Sequence, residues 1–437
     1  MDAERLRRMQ EIFEAVDGLP EEERGPLLDR LCAGDADLRQ RVLALLRHAE
    51  EGTDDAFRPP LEAAGLDDPD EGPESDAFGR YRLVRRLGEG GFGTVWEAEQ
   101  TEPVRRFVAL KMLKPGMDTR RILARFRSER QTLAALDHPG IAKVLDAGQT
   151  ERGRPYFVME LIDGPPIDRF CDDRRLSIEA RLGLFLQVCA ALQHAHMKGI
   201  IHRDLKPSNV LVTQGGPGDE ALARVIDFGI ARVVVSGERS ESLVTQEGQY
   251  LGTPAYMSPE QAVGDPAAID VRTDVYGLGA ILYRLLCGAA PVDETKLRTI
   301  SFAEMQRLIL EKDPVRPSAR CLQHEDPGAV AAARSTDAFR LSRRLRGDLD
   351  WIILRALERD PRRRYASVGD LAGDIRAHLE NRPVSAGPPS TGYVLGKFVR
   401  RHRAGVAAGV AVGAALLIGI AGTTAGLVRA LRAERQG

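Results

Sequence analysis

Net charge of either sign is almost missing from this chain of 437 residues, where 62 basic side chains face 64 acidic ones. That balance argues against a general nucleic-acid binder, which needs a basic footprint. Cysteine is scarce. Cys32, Cys171, Cys189, Cys287 and Cys321 are scattered and odd in number, with no C-x-x-C and no Cys/His pairing. A disulfide framework and a zinc finger are therefore excluded, and the thiols are expected to be small buried or surface groups of a reducing compartment. Met1 to Gln10 lacks the apolar core of a signal peptide and is charged throughout, so none is expected. Long apolar runs are absent until Ala404 to Val428, which carries no charge.

That late run would be roughly 37 Å long as a helix, enough to cross about 30 Å of hydrocarbon. It is heavy in Ala and Gly, a composition that a buried soluble helix shares. Gly405, Gly409 and Gly413 repeat at small-xxx-small spacing, which permits close helix contact and makes a homodimer an expectation. Just before it, Lys397 to Arg403 is basic with an apolar tooth and suits anionic headgroups. Arg429 and Arg432 beyond the run blunt the positive-inside argument.

At the other end, Leu6, Met9, Phe13, Val16, Leu27, Leu28, Leu31, Leu38, Val42, Leu45 and Leu46 recur at helical spacing and predict a small helical module over residues 1–50. Residues 51–77 are acidic and rich in Pro and Gly, the composition of a disordered linker. At Tyr81 the pattern changes. Tyr81 to Leu87 and Thr94 to Glu99 read as strands joined by Gly88-Glu89-Gly90-Gly91-Phe92-Gly93. Glycines at 88, 90 and 93 let backbone amides approach phosphate oxygens with no Cβ in the way. A dinucleotide fold uses the same spacing, but there the glycines lead into a helix; here they lead into the strand-like Thr94-Val95-Trp96.

Lys111 ends the apolar strand Val108-Ala109-Leu110, a poor place for an ammonium without an anionic partner. Arg120 to Leu136 reads as a helix carrying Glu129. Ile141 to Ala147 and Pro155 to Glu160 read as further strands that complete a small sheet. Helical periodicity then runs from Leu182 to Met197, with His194 and His196 near its end expected in solvent. It leads into Ile201-His202-Arg203-Asp204-Leu205-Lys206-Pro207-Ser208-Asn209-Val210. An acid, a base and an amide on one loop between apolar flanks can serve a hydroxyl, a phosphate and a metal. Asp227-Phe228-Gly229 follows an apolar strand and can swing a carboxylate onto phosphate-bound magnesium. Later helices are predicted over 275–287, 349–357 and 368–379, and Arg382 to Ser390 reads as an extended linker.

In kind and in order, from about Phe78 to Leu379, these segments resemble the eukaryotic-type serine/threonine protein kinases that also occur in bacteria. The resemblance implies an α+β, two-lobed protein kinase fold, with a small β-rich N-lobe and a larger helical C-lobe. An N-terminal helical module and a C-terminal transmembrane helix would flank it. It implies Mg2+ and ATP as cofactors and protein hydroxyls as acceptors. Gly88, Glu89, Gly90, Gly91, Phe92, Gly93, Val95, Ala109 and Lys111 would line the nucleotide site, with Met159 behind it and the hinge at Glu160 and Ile162. Lys111 would contact the α- and β-phosphates, held by Glu129. Asp204 would orient the acceptor hydroxyl or take its proton, Lys206 would steady the γ-phosphate, and Asn209 and Asp227 would hold the metal ions.

By the same resemblance Asp274 braces the catalytic loop, and Arg364 pairs with Glu260 of Ser258-Pro259-Glu260, where Ser258 replaces the family's alanine. Lys206 and Thr253 favour serine or threonine over tyrosine acceptors. Arg203 beside Asp204 implies control by phosphorylation of the 231–252 loop, with Thr245 the first acceptor and Ser242 the second; Glu247 stands where some relatives carry a second threonine. The expected organisation is a kinase domain over 78–380, a basic juxtamembrane linker over 381–403, a single-pass span over 404–428 and a short tail, with the kinase in the cytosol because ATP is there. Related kinases often continue into a sensor or repeat region beyond the span; either that outer part is missing from this chain, or signals are sensed by other means. Two alternatives stay open: a membrane-bound pseudokinase scaffold, and a small-molecule phosphotransferase, which the peptide-docking look of 252–260 disfavours.

Overall fold

The computed structural model describes residues 12, 16, 26–28, 30–32, 35, 38–39, 42, 77–90, 93–113, 136–151, 153–214, 220–228, 254–297, 300–388 and 390–434. They fall into two units, Met1–Glu74 and Ser75–Gly437. In the first, Ile12, Val16, Leu28, Cys32, Leu38 and Val42 are buried together. Each successive pair is four residues apart, so each pair shares one face of a helical turn. Leu6, Met9, Phe13, Leu45 and Leu46 lie outside the described residues.

The second unit begins with a six-stranded sheet in the order β1-β2-β3-β4-β6-β5. Its strands are β1 (Ala77–Phe78), β2 (Tyr81–Gly90), β3 (Gly93–Gln100), β4 (Arg106–Leu113), β5 (Val144–Gln149) and β6 (Pro155–Glu160), all paired antiparallel. Period-two alternation sends Val108, Leu110 and Met112 to one face, where they pack with Tyr81, Leu83, Ala98 and Val158. Ala109 and Lys111 therefore face the other way, opposite Met159 and Phe157 across the ladder, with Val95 directly beside Lys111. The strand predicted over 141–147 starts later, at Val144. Ile141 instead forms an isolated parallel bridge to Val225, because it is buried in the helical core.

Helices α1 (Ile167–Asp173) and α2 (Ile178–Met197) open the second half. Ser177 caps α2, its hydroxyl accepting from the Ala180 N–H at 3.3 Å. After the loop that carries Asp204 comes the hairpin β7 (Val210–Thr213) and β8 (Leu222–Val225). The helical lobe continues with α3 (Pro259–Val263), α4 (Val271–Cys287), α5 (Glu294–Leu297), α6 (Phe302–Glu311), α7 (Pro317–Arg320), α8 (Pro327–Ala332), α9 (Ala338–Leu345), α10 (Asp348–Ala356) and α11 (Val368–Leu379). Helix α4 starts before the predicted position, because Asp270 caps it by accepting from the Arg272 N–H; Asp274 falls inside its first turn. Val275, Leu278, Ile281, Leu282 and Leu285 of α4 sit at the centre of a core shared with α2, α10 and α11. All five cysteines are buried, and none forms a disulfide.

The segment expected to be an extended linker is packed instead. Val384 is buried, and the N–H groups of Ser385 and Ala386 donate to Asp374 at 2.7 and 2.9 Å. Helix α12 (Thr391–Arg401) follows and docks on α10. Tyr393 donates to Asp348 at 2.8 Å and its ring meets Trp351 edge-on at 5.5 Å. Lys397, expected among lipid headgroups, is buried against the equally buried Asp348; once out of water, each charge needs the other as its partner. Helix α13 (Arg403–Glu434) ends the described chain. Within it, Gly405–Thr424 is long and apolar enough to cross a membrane, and none of it is buried inside this chain.

Candidate active site

The loop between α2 and β7 is shaped by its backbone partners. Asp274 on α4 accepts the N–H groups of His202 and Arg203, both at 2.8 Å, which holds Arg203 in a left-handed conformation at φ 66°. The same carboxylate takes the His196 Nε2 at 2.7 Å. His196 is therefore a buried support and not a solvated helix end, as its place in the sequence suggests. His194 packs its ring 5.3 Å from that of His138. Burial raises the Asp274 carboxyl, but the hydrogen bonds and charge from the histidines outweigh it, and the net shift is downward.

His202 ties this loop to the next motif. Its Nδ1 accepts from the Asp204 N–H at 3.2 Å, and its Nε2 lies 3.0 Å from the Ile226 carbonyl. A carbonyl only accepts, so Nε2 carries the proton and Nδ1 is bare. The Phe228 ring packs against the same ring at 4.8 Å, tilted by 45°. The sequence pattern gave His202 no role; only the position of Ile226, remote along the chain, reveals it.

The three polar groups of the loop meet one another. Lys206 Nζ is 3.0 Å from Asp204 Oδ2. Asn209 Nδ2 donates to the Asp204 carbonyl at 2.7 Å and reaches its carboxylate at 3.2 Å. The Ile226 N–H donates to the Asn209 carbonyl at 2.9 Å, closing the base of the β7–β8 hairpin. That bond sets Asp227 beside Asn209, although the chain between them is long. Asp227 has φ 58°, and its carboxylate forms an ion pair with the Lys111 ammonium from β4. Lys111, Asp204, Asn209 and Asp227 thus belong to one connected cluster. Asp227, at the base of that hairpin, is the partner Lys111 has among the described residues; Glu129, Gly91 and Phe92 lie outside them.

Of the two described turn glycines at which an added Cβ can be placed, Gly88 and Gly93, one structurally requires glycine. At Gly93, φ is 149° and an added Cβ would lie 2.0 Å from the Met112 carbonyl oxygen. At Gly88 an added Cβ meets nothing, and Glu89 extends from β2 in an ion pair with Arg86. Gly90 pairs with Gly93 at the end of the ladder. At the end of β6, the Glu160 side chain is held by Arg224 at 2.7 Å and the Glu160 N–H donates to the Lys143 carbonyl at 2.9 Å. Ile162 is buried just after the strand.

A second buried ion pair supports the cluster from below. Arg364 forks onto both oxygens of Glu260 at 2.7 and 2.8 Å, and Thr273 donates to the same carboxylate at 2.8 Å. Burial raises the Glu260 carboxyl, the Arg364 bonds outweigh it, and its pKa is lowered. Ser258 donates from its N–H and hydroxyl to Gln261, both at 3.2 Å. Gln261 in turn donates to the Arg203 carbonyl at 2.6 Å, a link from α3 to the catalytic loop that no motif announces. Thr253, Ser242, Thr245 and Glu247 lie outside the described residues.

The protein kinase domain family matches residues 81–370. Serine/threonine-protein kinase PknB of Mycobacterium tuberculosis is 34% identical over 310 residues, 70% of this chain and 44% of that protein. The DNA damage-responsive serine/threonine-protein kinase RqkA of Deinococcus radiodurans is 41% identical over 259 residues, 58% of this chain and 35% of that protein. Serine/threonine-protein kinase Pkn1 of Myxococcus xanthus is 33% identical over 347 residues, 75% of this chain and 45% of that protein. The chain thus spans less than half the length of these relatives. The matched range holds the whole cluster from Lys111 to Asp274, and the chain belongs to the protein kinase family.

Proposed function

We propose that this chain is an ATP-dependent serine/threonine protein kinase, tethered by Gly405–Thr424 to a membrane with its catalytic part in the cytoplasm. The observation that carries the proposal is the connected cluster of Lys111, Asp227, Asn209, Asp204 and Lys206. The acceptor hydroxyl oxygen attacks the γ-phosphorus of ATP, the bond to the β–γ bridging oxygen breaks, and ADP leaves. Asp204 orients the hydroxyl and takes its proton, while Lys206 steadies the moving phosphoryl group. Lys111 meets the α- and β-phosphates, supported by Glu129. The glycine turn covers the phosphates, and the hinge at Glu160 and Ile162 holds the base.

Two oxygen donors suit a hard cation here. The Asn209 amide nitrogen is committed to Asp204, which leaves its amide oxygen to be offered beside the Asp227 carboxylate, a ligand set fitting Mg2+. Bound there, magnesium would neutralise phosphate charge. Activation by phosphorylation of Thr245, and pairing of two copies along Gly405, Gly409 and Gly413, are parts of the same proposal; the open space around these glycines supports the second.

Transfer of labelled phosphate from ATP to a generic protein substrate tests it. Wild-type chain should transfer, and Asp204→Asn should be slower by about 10²–10⁴-fold. Equal rates would remove Asp204 from the chemistry, and nucleotide binding without transfer would favour a pseudokinase. Mass spectrometry should find phosphate on Thr245; an unmodified loop in fully active protein would sink that regulatory part.

A further inference from the structure

Beside the docked helix α12 lies a cavity of about 550 Å3, lined by residues that phosphoryl transfer does not use. Its charged lining is one-sided. Arg343, Arg344 and Arg346 come from α9 and the turn after it, and Lys397 and Arg400 come from α12, against Glu179 and Asp348. Both carboxylates are already engaged, Glu179 by Arg344 and Asp348 by Lys397, His378 and Tyr393. Arg343, Arg346 and Arg400 remain as exposed guanidiniums around one opening, with no further carboxylate among the described residues that line it. Isolated arginines on a helix are ordinary solvated charges. These three differ because the Lys397–Asp348 clamp gathers two separate elements around a concave space.

The outward face of α12 supplies an independent observation. Val394, Leu395, Phe398 and Val399 are 49, 63, 54 and 38% exposed, while Tyr393 and Lys397 face the lobe. The helix is therefore apolar outward and basic at its end, and it runs into the Gly405–Thr424 span after a break at His402. This is the pattern of a helix lying in a bilayer interface. Arg400 precedes the span by a stretch that at 1.5 Å per residue covers roughly 8 Å, the depth of the headgroups.

We propose that this cavity binds the phosphate of an anionic phospholipid headgroup, with the Val394, Leu395, Phe398 and Val399 face of α12 immersed in the bilayer interface. The proposal rests on Gly405–Thr424 being a membrane span. Guanidinium forks match phosphate oxygens bidentately, and a free phosphate could satisfy them equally well. The lipid is favoured because a soluble anion would leave the apolar stripe in water.

The test uses the full chain in mixed micelles holding equal parts of phosphatidylcholine and phosphatidylglycerol, with retained lipid read by native mass spectrometry. Wild type should keep phosphatidylglycerol over phosphatidylcholine by on the order of tenfold or more. The combined Arg343→Gln, Arg346→Gln and Arg400→Gln variant should lose the preference while its kinase rate in detergent stays unchanged. Should that variant not fold, the single Arg346→Gln change should lower the ratio several-fold. Equal retention of both lipids by wild type, or an unaltered preference in the variants, overturns the site. A melting temperature raised by inorganic phosphate in wild type but not the variant, with neither lipid retained, assigns the cavity to a soluble anion and overturns the lipid. A chain that does not enter phosphatidylcholine vesicles refutes the span itself, whereas one that enters them without a phosphatidylglycerol preference refutes the site alone.

Discussion

Three carboxylates do work out of proportion to their number. Asp274, Glu260 and Asp348 are each buried, and each gathers donors from several elements. A buried carboxylate is tolerated only when its oxygens are filled, so each one also dictates where its donors must sit. At Glu260 the consequence can be measured. Glu260→Gln would leave the Arg364 guanidinium buried, 3% exposed, opposite a neutral amide. Losing one partner of such a pair costs about 3–5 kcal/mol. The apparent Tm is expected to fall by on the order of 10 °C, read by thermal unfolding of the full chain. A shift of a degree or less would mean the pair contributes little beyond its geometry.

At the scale of elements, α4 is the platform for the catalytic loop. Its Asp274 holds the loop's N–H groups, and its Gly277 lets Leu205, the residue after Asp204, rest on the helix. An added Cβ at Gly277 would lie 2.8 Å from the Leu205 Cβ. Helix propensity alone predicts that Gly277→Ala stabilises α4 by about 1 kcal/mol. The close approach predicts a displaced loop and a kcat lower by about 10–100-fold, because misplacement on the ångström scale is that costly. Steady-state kinetics beside a melting curve separates the two. An unchanged kcat would show that the loop absorbs the methyl group.

For the whole molecule, the notable arrangement is that the catalytic lobe does not stop at α11. Asp374 and Asp348 clamp Ser385, Tyr393 and Lys397 to it, so the lobe extends through α12. Burial raises the Asp348 carboxyl, but bonds from His378, Lys397 and Tyr393 outweigh it and bring it from 3.8 to about 2. A depressed carboxylate contributes its docking energy fully above about pH 4 and loses it as pH falls toward 2. Asp348→Asn should mimic that loss at neutral pH. Hydrogen exchange of residues 391–401 should quicken by about tenfold or more, while exchange in α2 stays the same. Equal protection in variant and wild type would show that α12 is held by its apolar contacts alone.

Much of this protein was legible from local pattern. The strands of the small sheet, the glycine turn, the order of the polar motifs and the apolar run at 404–428 are properties of neighbouring residues, because backbone periodicity and turn chemistry act over a few positions. The clustering of Asp204, Lys206 and Asn209 was legible for the same reason, since they share one loop. What the sequence could not announce is which distant groups fill a buried charge. His196 and Lys397 have the composition of solvent-facing residues, and only the approach of Asp274 and Asp348 draws them inward. Arg181 is likewise an interior arginine, its guanidinium satisfied by carbonyls of Leu285, Cys171 and Ala333. Those partners are far apart along the chain. Desolvation is decided by the packed lobe as a whole, so pairing across long separations belongs to tertiary structure, while the motifs and their order along the chain were written in the residues themselves.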